Sequence, residues 1–172
     1  MFQYSIYLPA LLLVVVLSSV ASYLGYKKRD RRGMVWFAVA MACIAAWSLF
    51  LAVTVASEAR QLKLLFLTLL FTTSVYLCAS WFLFAAAYTG NYDRVPRPTR
   101  LGLMLVPLAY VPTTLTTDTT GLVLRNVRVV EEGSMQLLQY DWGPLVWAFV
   151  GLTYLCMFAA TVLLFRKAAH SR

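Results

Sequence analysis

The chain has 172 residues, of which 61% are hydrophobic and only 13% are charged, and its mean hydropathy is +0.72. Soluble domains average about 25% charged and 45–50% apolar residues, so the composition excludes an ordinary soluble protein. The net charge of +8 would suit a nucleic-acid-binding protein. However, the basic residues form short runs at the ends of apolar segments and not a stripe with interleaved aromatic residues, which argues against a nucleic-acid partner.

Five apolar stretches follow one another along the chain. They cover residues 4–26, 34–57, 64–88, 101–117 and 144–165. Each has about the length that a helix needs to cross a hydrocarbon layer of roughly 30 Å at 1.5 Å per residue. Because lipid cannot satisfy peptide groups, each stretch is expected to be helical. The sequence therefore predicts an all-α integral membrane protein, a five-helix transmembrane bundle that forms a single domain over residues 1–172 with the lipid bilayer as its partner.

The distribution of basic residues predicts the topology. The first stretch has no basic residue before it and a basic run after it, which favours a retained span over a cleaved export signal. With the amino terminus outside, the inner segments 27–33, 90–100 and 166–172 hold eleven of the 15 Lys and Arg residues. Cytoplasmic segments are enriched in these residues, so we expect a multi-pass plasma-membrane protein with a cytoplasmic carboxyl terminus. The residues that mark this topology are Lys27, Lys28, Arg29, Arg31, Arg32, Arg166 and Lys167.

The second stretch is rich in alanine. Ala42 and Ala46 lie four residues apart, the spacing of small residues that lets helix backbones approach closely in lipid. This pattern predicts a helix-packing contact at these two positions. It leaves open whether the contact lies within one chain or between the two chains of a homodimer.

The third stretch carries a patch of hydroxyl side chains. They belong to Thr68, Thr72, Thr73, Ser74 and Ser80. Such hydroxyls bond either to the carbonyl four residues earlier in their own helix or to a neighbouring helix. Satisfaction within the helix is the simpler interpretation, and a cavity that binds a ligand is the alternative.

The fourth stretch contains Pro107 and Pro112. Each proline removes a backbone donor and obstructs the preceding turn, so a kinked helix is predicted. The kink serves either as a hinge for signalling or as a static way to make room for a neighbouring helix, and the sequence does not distinguish the two.

The loop over residues 118–143 is predicted to form a short extracellular β-hairpin between helices 4 and 5. Residues 122–130 and 135–140 are rich in apolar and β-branched residues, and Glu131-Glu132-Gly133-Ser134 offers a turn. An isolated hairpin is marginally stable, so we expect it to lie against the outer helix ends as a lid. Polarity and aromatic density beneath this lid point to a ligand site. Its candidate residues are Thr113, Thr117, Tyr140 and Trp142.

The five stretches contain no Asp, Glu, Lys, Arg or His. Ion-coupled carriers, haem proteins with histidine ligands and intramembrane proteases with catalytic carboxylates need such groups inside the membrane. The one histidine, His170, lies in the tail, and the three cysteines are far apart in sequence and best explained as small apolar residues in the helices. We therefore expect no catalytic residues, no metal site and no cofactor.

The order of several short motifs resembles the amino-terminal seven-transmembrane sensor region of histidine kinases. The motifs are Ala45-Ala46-Trp47-Ser48-Leu49-Phe50, the segment from Trp81 to Gly90, Pro107, Thr116-Thr117-Asp118 and the segment from Tyr140 to Trp147. Two features depart from that family. The histidine and tryptophan that usually follow the threonine-rich exit are replaced by Thr119-Thr120-Gly121-Leu122-Val123-Leu124, and only five of the seven spans are predicted.

The resemblance implies a membrane-embedded sensory input module that relays a stimulus to a cytoplasmic signalling domain or partner protein. It also implies that kinase modules lie outside this chain, which looks like a truncated sensor region or a stand-alone relative. Two alternatives come from other classes. One is a small structural or partner-binding membrane protein, and the other is a passive transporter with a path lined by threonine and serine.

Overall fold

The computed structural model describes residues 7–57, 59–109, 111–112, 120–132 and 135–170. It is mostly helical, with one small antiparallel sheet. The helices are α1 (Leu8–Lys27), α2 (Met34–Ala56), α3 (Arg60–Tyr88), α4 (Arg97–Leu105) and α5 (Pro144–His170), and the strands are β1 (Leu124–Glu132) and β2 (Met135–Trp142). Short 3-10 helices cover Tyr92–Arg94 and Val106–Ala109.

Four helices in the described part of the chain, namely α1, α2, α3 and α5, are long and apolar enough to cross a membrane. They coincide with four of the five stretches predicted from the sequence. Proline lies in the first turn of both α1 and α5, as Pro9 and Pro144, where its fixed φ suits a helix start and its missing N–H has no partner to lose.

The fourth predicted stretch, 101–117, is not one regular helix. α4 begins at Arg97 and ends at Leu105, where the 3-10 helix that contains Pro107 takes over. The break follows from the proline, which cannot donate to the ladder. The Tyr76 hydroxyl of α3 donates to the Met104 carbonyl at 2.7 Å, next to the break. Residues 113–117 lie outside the described residues, so a fifth transmembrane helix stays a prediction.

The helices pack in a row. α1 packs against α2, α2 against α3, and α3 against α5, while α4 lies against α3. α1 approaches α2 closely at Gly25, where an added Cβ would lie 3.3 Å from the Ala38 Cβ and 2.9 Å from a ring carbon of Phe37. Nearby, the Ser22 hydroxyl donates to the Ala38 carbonyl at 2.8 Å. α3 is therefore the central helix, and α1 is held by a small-residue contact.

The small residues predicted to pack in the second stretch are not the buried ones. Ala42 is exposed and Ala46 is half-buried. The buried residues of α2 are Ala38, Ala40, Ser48, Ala52 and Ala56. Close packing inside the chain therefore uses other small residues of the same helix, because its many alanines offer several faces with this spacing. A role for Ala42 and Ala46 between chains stays a prediction.

The hydroxyl patch of α3 is mostly satisfied within the helix, as the simpler interpretation predicts. Thr68, Thr72, Thr73 and Ser74 each donate to the carbonyl four residues earlier, at 2.6–2.9 Å. The Ser80 hydroxyl is buried and has no hydrogen-bond partner in the described part of the chain.

The predicted loop contains a two-stranded antiparallel sheet. Leu124 lies opposite Trp142, and Glu131 and Glu132, which the sequence places in the turn, pair with Gln136 and Met135. The turn prediction is therefore too long, because the strands pair up to the last two residues between them, 133–134, which lie outside the described residues.

A β-bulge interrupts the sheet, since Asn126 and Val127 together oppose the single residue Tyr140. Asn126 has φ of 51°, a left-handed conformation that asparagine tolerates better than most residues. Its side-chain amide donates to the Asp141 carboxylate at 2.7 Å. The bulge is thus fixed by a hydrogen bond across the two strands.

The two ends of the bundle differ in chemistry. At the basic end, Gly33 contacts Phe84 and Tyr88, Arg32 approaches Gly90, and Lys167 binds Tyr88. This end therefore collects the 28–33 loop, the 89–96 connection and the last turns of α5. At the opposite end, the hairpin end, Val123 and Leu124 pack on Leu67 of α3 and Val146 of α5.

Candidate functional site

The sheet is clasped to the start of α5 by backbone contacts. The Gly143 N–H donates to the Val123 carbonyl at 2.8 Å, and the Leu145 N–H donates to the Leu122 carbonyl at 3.1 Å. A Cβ at Gly143 would stand 2.5 Å from the Leu122 carbonyl carbon and closer still to its oxygen. Only glycine therefore permits this approach, and the clasp places the sheet over the ends of α3 and α5.

Trp142, the last residue of β2, lies between two helices. Its ring contacts Phe71 of α3 edge-to-face, with ring centroids 5.8 Å apart and an interplanar angle of 75°. On the other side its centroid is 6.2 Å from that of Trp147 of α5. Aromatic rings prefer such edge-to-face and tilted contacts. The sheet thus places one side chain in contact with both helices.

Below Trp142, a cavity of about 680 Å³ opens between α3 and α5. We refer to it as the α3/α5 cavity. Its walls are Phe71, Ser74, Val75, Trp142, Val146, Trp147, Phe149, Val150, Thr153 and Tyr154. The volume falls within the usual range for small-molecule sites, and the wall is mainly apolar and aromatic with a few hydroxyls. Since the Ser74 hydroxyl already donates to the Leu70 carbonyl, it can only accept a further hydrogen bond.

The structure brings together part of the predicted ligand site. Trp142 lines the α3/α5 cavity, and half-buried Tyr140 packs against the apolar cluster next to it. Thr113 and Thr117 lie outside the described residues. Burial raises the pKa of the Tyr140 phenol, so the side chain stays protonated at neutral pH. The apolar cluster consists of Leu67, Val75, Val123, Leu124, Val146 and Phe149.

The other predicted packing residues lie away from this cavity. Pro107 is buried and Pro112 is exposed, both beyond α4. The structure also places Cys156 of α5 beside Cys78 of α3, with Leu103 of α4 in the same apolar cluster. These thiols are free and pack among apolar side chains.

The burial of Lys63 is not predicted from the sequence. Lys63 is only 2% exposed and lies in the first turn of α3, near the hairpin end, although hydropathy assigns it to a loop. Charged groups at membrane depth are costly and often functional. The spacing of residues could have indicated this burial. Lys63 lies four residues before Leu67 and seven before Leu70, and both leucines are buried. These positions share one helix face.

At the basic end, α3 is joined to both neighbouring elements. Lys167 of α5 donates to the Tyr88 carbonyl at 2.5 Å, and its ammonium lies 4.0 Å from the centroid of the Tyr88 ring. Phe84 stacks on Tyr88, with centroids 5.8 Å apart, and also contacts Phe37 at 5.9 Å. A Cβ at Gly33 would lie 3.2 Å from Phe84. The last turn of α3 therefore contacts the loop before α2 and the final helix.

Comparison with protein families identifies the chain. Residues 10–172 match the family described as the N-terminal 7TM region of histidine kinase. The chain belongs to this family. The comparisons with curated proteins and with solved structures found no significant match.

As a member of the family of N-terminal 7TM regions of histidine kinases, the chain is a multi-pass membrane protein of the sensory class. This region is the sensor part of histidine kinases and not their catalytic part. The family assignment confirms the resemblance read from the motifs between Ala45 and Trp147. It concerns the whole region and does not say which residues receive a stimulus.

Proposed function

We propose that this chain is a sensory input module that receives its stimulus in the α3/α5 cavity and relays it through the basic end to a cytoplasmic output. The family supports a membrane sensor. The proposal adds the site, the direction of the relay and the absence of kinase chemistry from the chain itself. Within it, the carboxyl end of α5 faces the cytoplasm, where a signalling domain or partner protein receives the change.

The main support for this proposal is that α3 is one uninterrupted helix. Phe71 and Val75 line the cavity near the hairpin end, and Tyr88 binds Lys167 of α5 at the basic end. From Val75 to Tyr88 the helix is uninterrupted, a distance of about 20 Å at 1.5 Å per residue. α3 and α5 thus form both the cavity and the junction at the other end. A change in their separation at the cavity would reach Lys167 without an intermediate element.

A stimulus shifts an equilibrium only if it binds the two helix arrangements unequally. An apolar molecule that fills the cavity between α3 and α5 meets this condition, because it fits only the arrangement in which the helices are apart. The walls favour an apolar or aromatic ligand with a donor group for the Ser74 hydroxyl. Such a molecule can enter from the lipid, since Trp147 and Tyr154 on the cavity rim are 65% and 72% exposed.

The charge distribution supports the proposed orientation. The segments with most Lys and Arg residues meet at the basic end, and the sheet lies at the other end. Cytoplasmic segments are enriched in Lys and Arg, so we assign the basic end to the cytoplasm and the sheet to the outside. Labelling of a cysteine introduced at position 28 in intact cells tests this assignment. Reaction of that cysteine with a reagent that cannot cross the membrane would overturn it.

The experiment for the relay needs no identified ligand. The chain is fused to a working kinase output, and Val150→Phe fills the cavity as a bound molecule would. The matched control is Leu155→Phe, on the same helix but 64% exposed and outside the cavity wall. We expect Val150→Phe alone to shift basal output. Unchanged output in Val150→Phe would contradict the proposed relay, as would equal shifts in both variants.

An alanine series at the predicted site complements this test. It replaces Thr113, Thr117, Tyr140 and Trp142 singly in the same fusion. Once a stimulus is in hand, Trp142→Ala is expected to reduce the response most strongly, because Trp142 contacts both helices. Unaltered responses in all four variants would show that the ligand site does not lie beneath the sheet.

A further inference from the structure

A second concave surface lies at the basic end, away from the α3/α5 cavity. A crevice of about 390 Å³ separates the 28–33 loop from the 3-10 helix that follows α3. Its walls are Arg29, Asp30, Arg31, Arg32, Gly33, Val35, Trp36, Ala87 and Tyr92. We refer to it as the arginine crevice. Three guanidinium groups and one carboxylate give its wall an excess of positive charge at any pH near neutrality.

Two of these arginines have no side-chain partner among the described residues. In the described residues around the crevice, the Arg31 and Arg32 side chains make neither a hydrogen bond nor an ion pair. Arg29, in contrast, donates to the Tyr26 hydroxyl at 2.8 Å. A guanidinium carries five donors in a planar fork that fits phosphate in a bidentate way. The crevice therefore has two guanidinium groups that are available to bind an anion.

Two aromatic rings line the arginine crevice. The Trp36 and Tyr92 ring centroids are 6.3 Å apart, and Arg100 lies 4.5 Å above the Tyr92 ring. Tryptophan and tyrosine concentrate at the level of lipid headgroups, where their rings meet both apolar and polar groups. The position of these rings at the ends of the apolar helices places the crevice at the membrane surface.

An apolar groove adjoins the arginine crevice. It has a volume of about 600 Å³ and lies between α1 and α2. Its walls are Ser19, Ser22, Tyr23, Tyr26, Val35, Ala38, Val39, Ala42 and Ala45. We refer to it as the α1/α2 groove. Val35 belongs to both walls, so the two spaces meet at that residue. From Val35 to Ala45 the groove extends about 15 Å, which is half of a roughly 30 Å hydrocarbon layer.

From this arrangement we infer that the chain binds one anionic phospholipid, with its phosphate in the arginine crevice and an acyl chain in the α1/α2 groove. A free phosphate would use only the crevice, and a neutral lipid only the groove. The combination of unpaired guanidinium groups with a groove one leaflet deep matches a molecule that has both parts. Basic clusters next to transmembrane helices attract anionic lipids. This inference concerns lipid recognition and does not depend on the proposed sensing.

The lipid would add a further link between two segments that already meet at the basic end. Arg31 and Arg32 precede α2, whereas Tyr92 follows α3, and all three residues line the crevice. The exposure of Ala42 also has a reason in this arrangement, because a small side chain there leaves room for an acyl chain.

The test measures binding of phosphatidylglycerol to the full purified chain by native mass spectrometry. Arg31→Gln/Arg32→Gln is compared with Arg97→Gln/Arg128→Gln, which changes the net charge equally at exposed positions outside the crevice. We expect the crevice variant to weaken binding about 30-fold, and the control much less. Equal weakening in both would overturn the inference, since it would show attraction to the overall charge. Failure of the unchanged chain to bind the lipid would also overturn it.

Two further measurements distinguish a lipid phosphate from free inorganic phosphate and test whether the groove holds an acyl chain. Ala42→Trp fills the α1/α2 groove and leaves the arginines in place, so it is expected to weaken binding of phosphatidylglycerol but not of inorganic phosphate. Phosphatidylcholine measures the contribution of the acyl chains alone. If inorganic phosphate displaces the lipid at equal concentration, or if Ala42→Trp binds the lipid normally, the two-part site is wrong.

Discussion

Lys167 of α5 donates a hydrogen bond to the Tyr88 carbonyl of α3 at 2.5 Å, and its ammonium lies over the Tyr88 ring. The carbonyl belongs to the last turn of a helix, where carbonyl groups lack intrahelical partners. The lysine therefore satisfies the end of one membrane helix from the end of another. It links α3 to the segment that leaves the bundle.

Lys167→Met is expected to separate the two helix ends. It removes the hydrogen bond and a cation–π contact, which contributes about 0.5–1 kcal/mol at exposed sites. Spin-label distances between the ends of α3 and α5 should then broaden and lengthen, and basal output in a kinase fusion should change. Lys167→Arg keeps the charge and serves as the control. Identical distance distributions in Lys167→Met and the parent chain would show that this link does not hold the ends together.

Trp142→Ala should loosen the hairpin end. The variant loses ring contacts to Phe71 and Trp147, and each aromatic pair contributes about 0.5–1.5 kcal/mol beyond the area it buries. We expect a lower melting temperature in detergent, with most of the loss recovered in Trp142→Phe. If both variants melt like the parent chain, Trp142 does not hold α3 and α5 together.

Gly143→Ala tests the backbone clasp between the sheet and α5. The new methyl group would meet the Leu122 backbone, which cannot move aside as a side chain can. We expect severe loss of folded protein in size-exclusion chromatography. The control is Gly151→Ala in the same helix, where a Cβ would meet nothing within 4 Å. That change should be neutral or stabilising by about 0.5–1 kcal/mol, because alanine favours the helix. Equal yields from the two variants would contradict the clasp.

The helices were the most predictable part of the fold. Lipid cannot satisfy peptide groups, so an apolar stretch of bilayer length has little choice but to form a helix, and four helices lie where the sequence places them. The break at Pro107 is equally predictable, because proline has no backbone N–H to donate, whatever its surroundings. The β-branched residues indicate the sheet, but the predicted turn begins two residues too early, at Glu131, because the strands pair up to Glu132.

Contacts between helices were harder to predict. Spacing predicts Ala42 and Ala46 as a packing pair, whereas the buried alanines of the helix include Ala38 and Ala52. A contact at Ala42 and Ala46 stays a prediction, because the sequence does not state which face meets a neighbour. Lys63 was assigned to a loop because a charge normally ends an apolar stretch. Among the site residues, Trp142 could be chosen for its aromatic character, whereas Phe71 becomes a cavity residue only when the sheet is placed against α3.

Lys63→Met is expected to destabilise the chain despite its increased hydropathy. Lys63 is buried and takes part in an interaction within the protein, which an apolar side chain is expected to weaken. A hydrogen bond made by a charged group contributes about 1.5–3 kcal/mol, which sets the upper range of the expected loss. Arg60→Met, at an exposed position one turn earlier, is the comparison. Thermal unfolding in detergent should show the larger drop for Lys63→Met, and a higher melting temperature for that variant would mean that the buried cation serves function at the expense of stability.

Gly25→Leu and Ala42→Leu separate packing inside the chain from packing between chains. Gly25 lies against Phe37 and Ala38, so a larger side chain forces α1 away from α2, at a cost of about 1–3 kcal/mol. Ala42 is exposed, and Ala42→Leu should leave the melting temperature of the monomer unchanged. Sedimentation in detergent then shows whether Ala42 lies in a dimer contact, because Ala42→Leu would weaken such a dimer. A monomer destabilised equally by both changes would show that α1 and α2 pack through Ala42 as well, contrary to its exposed position.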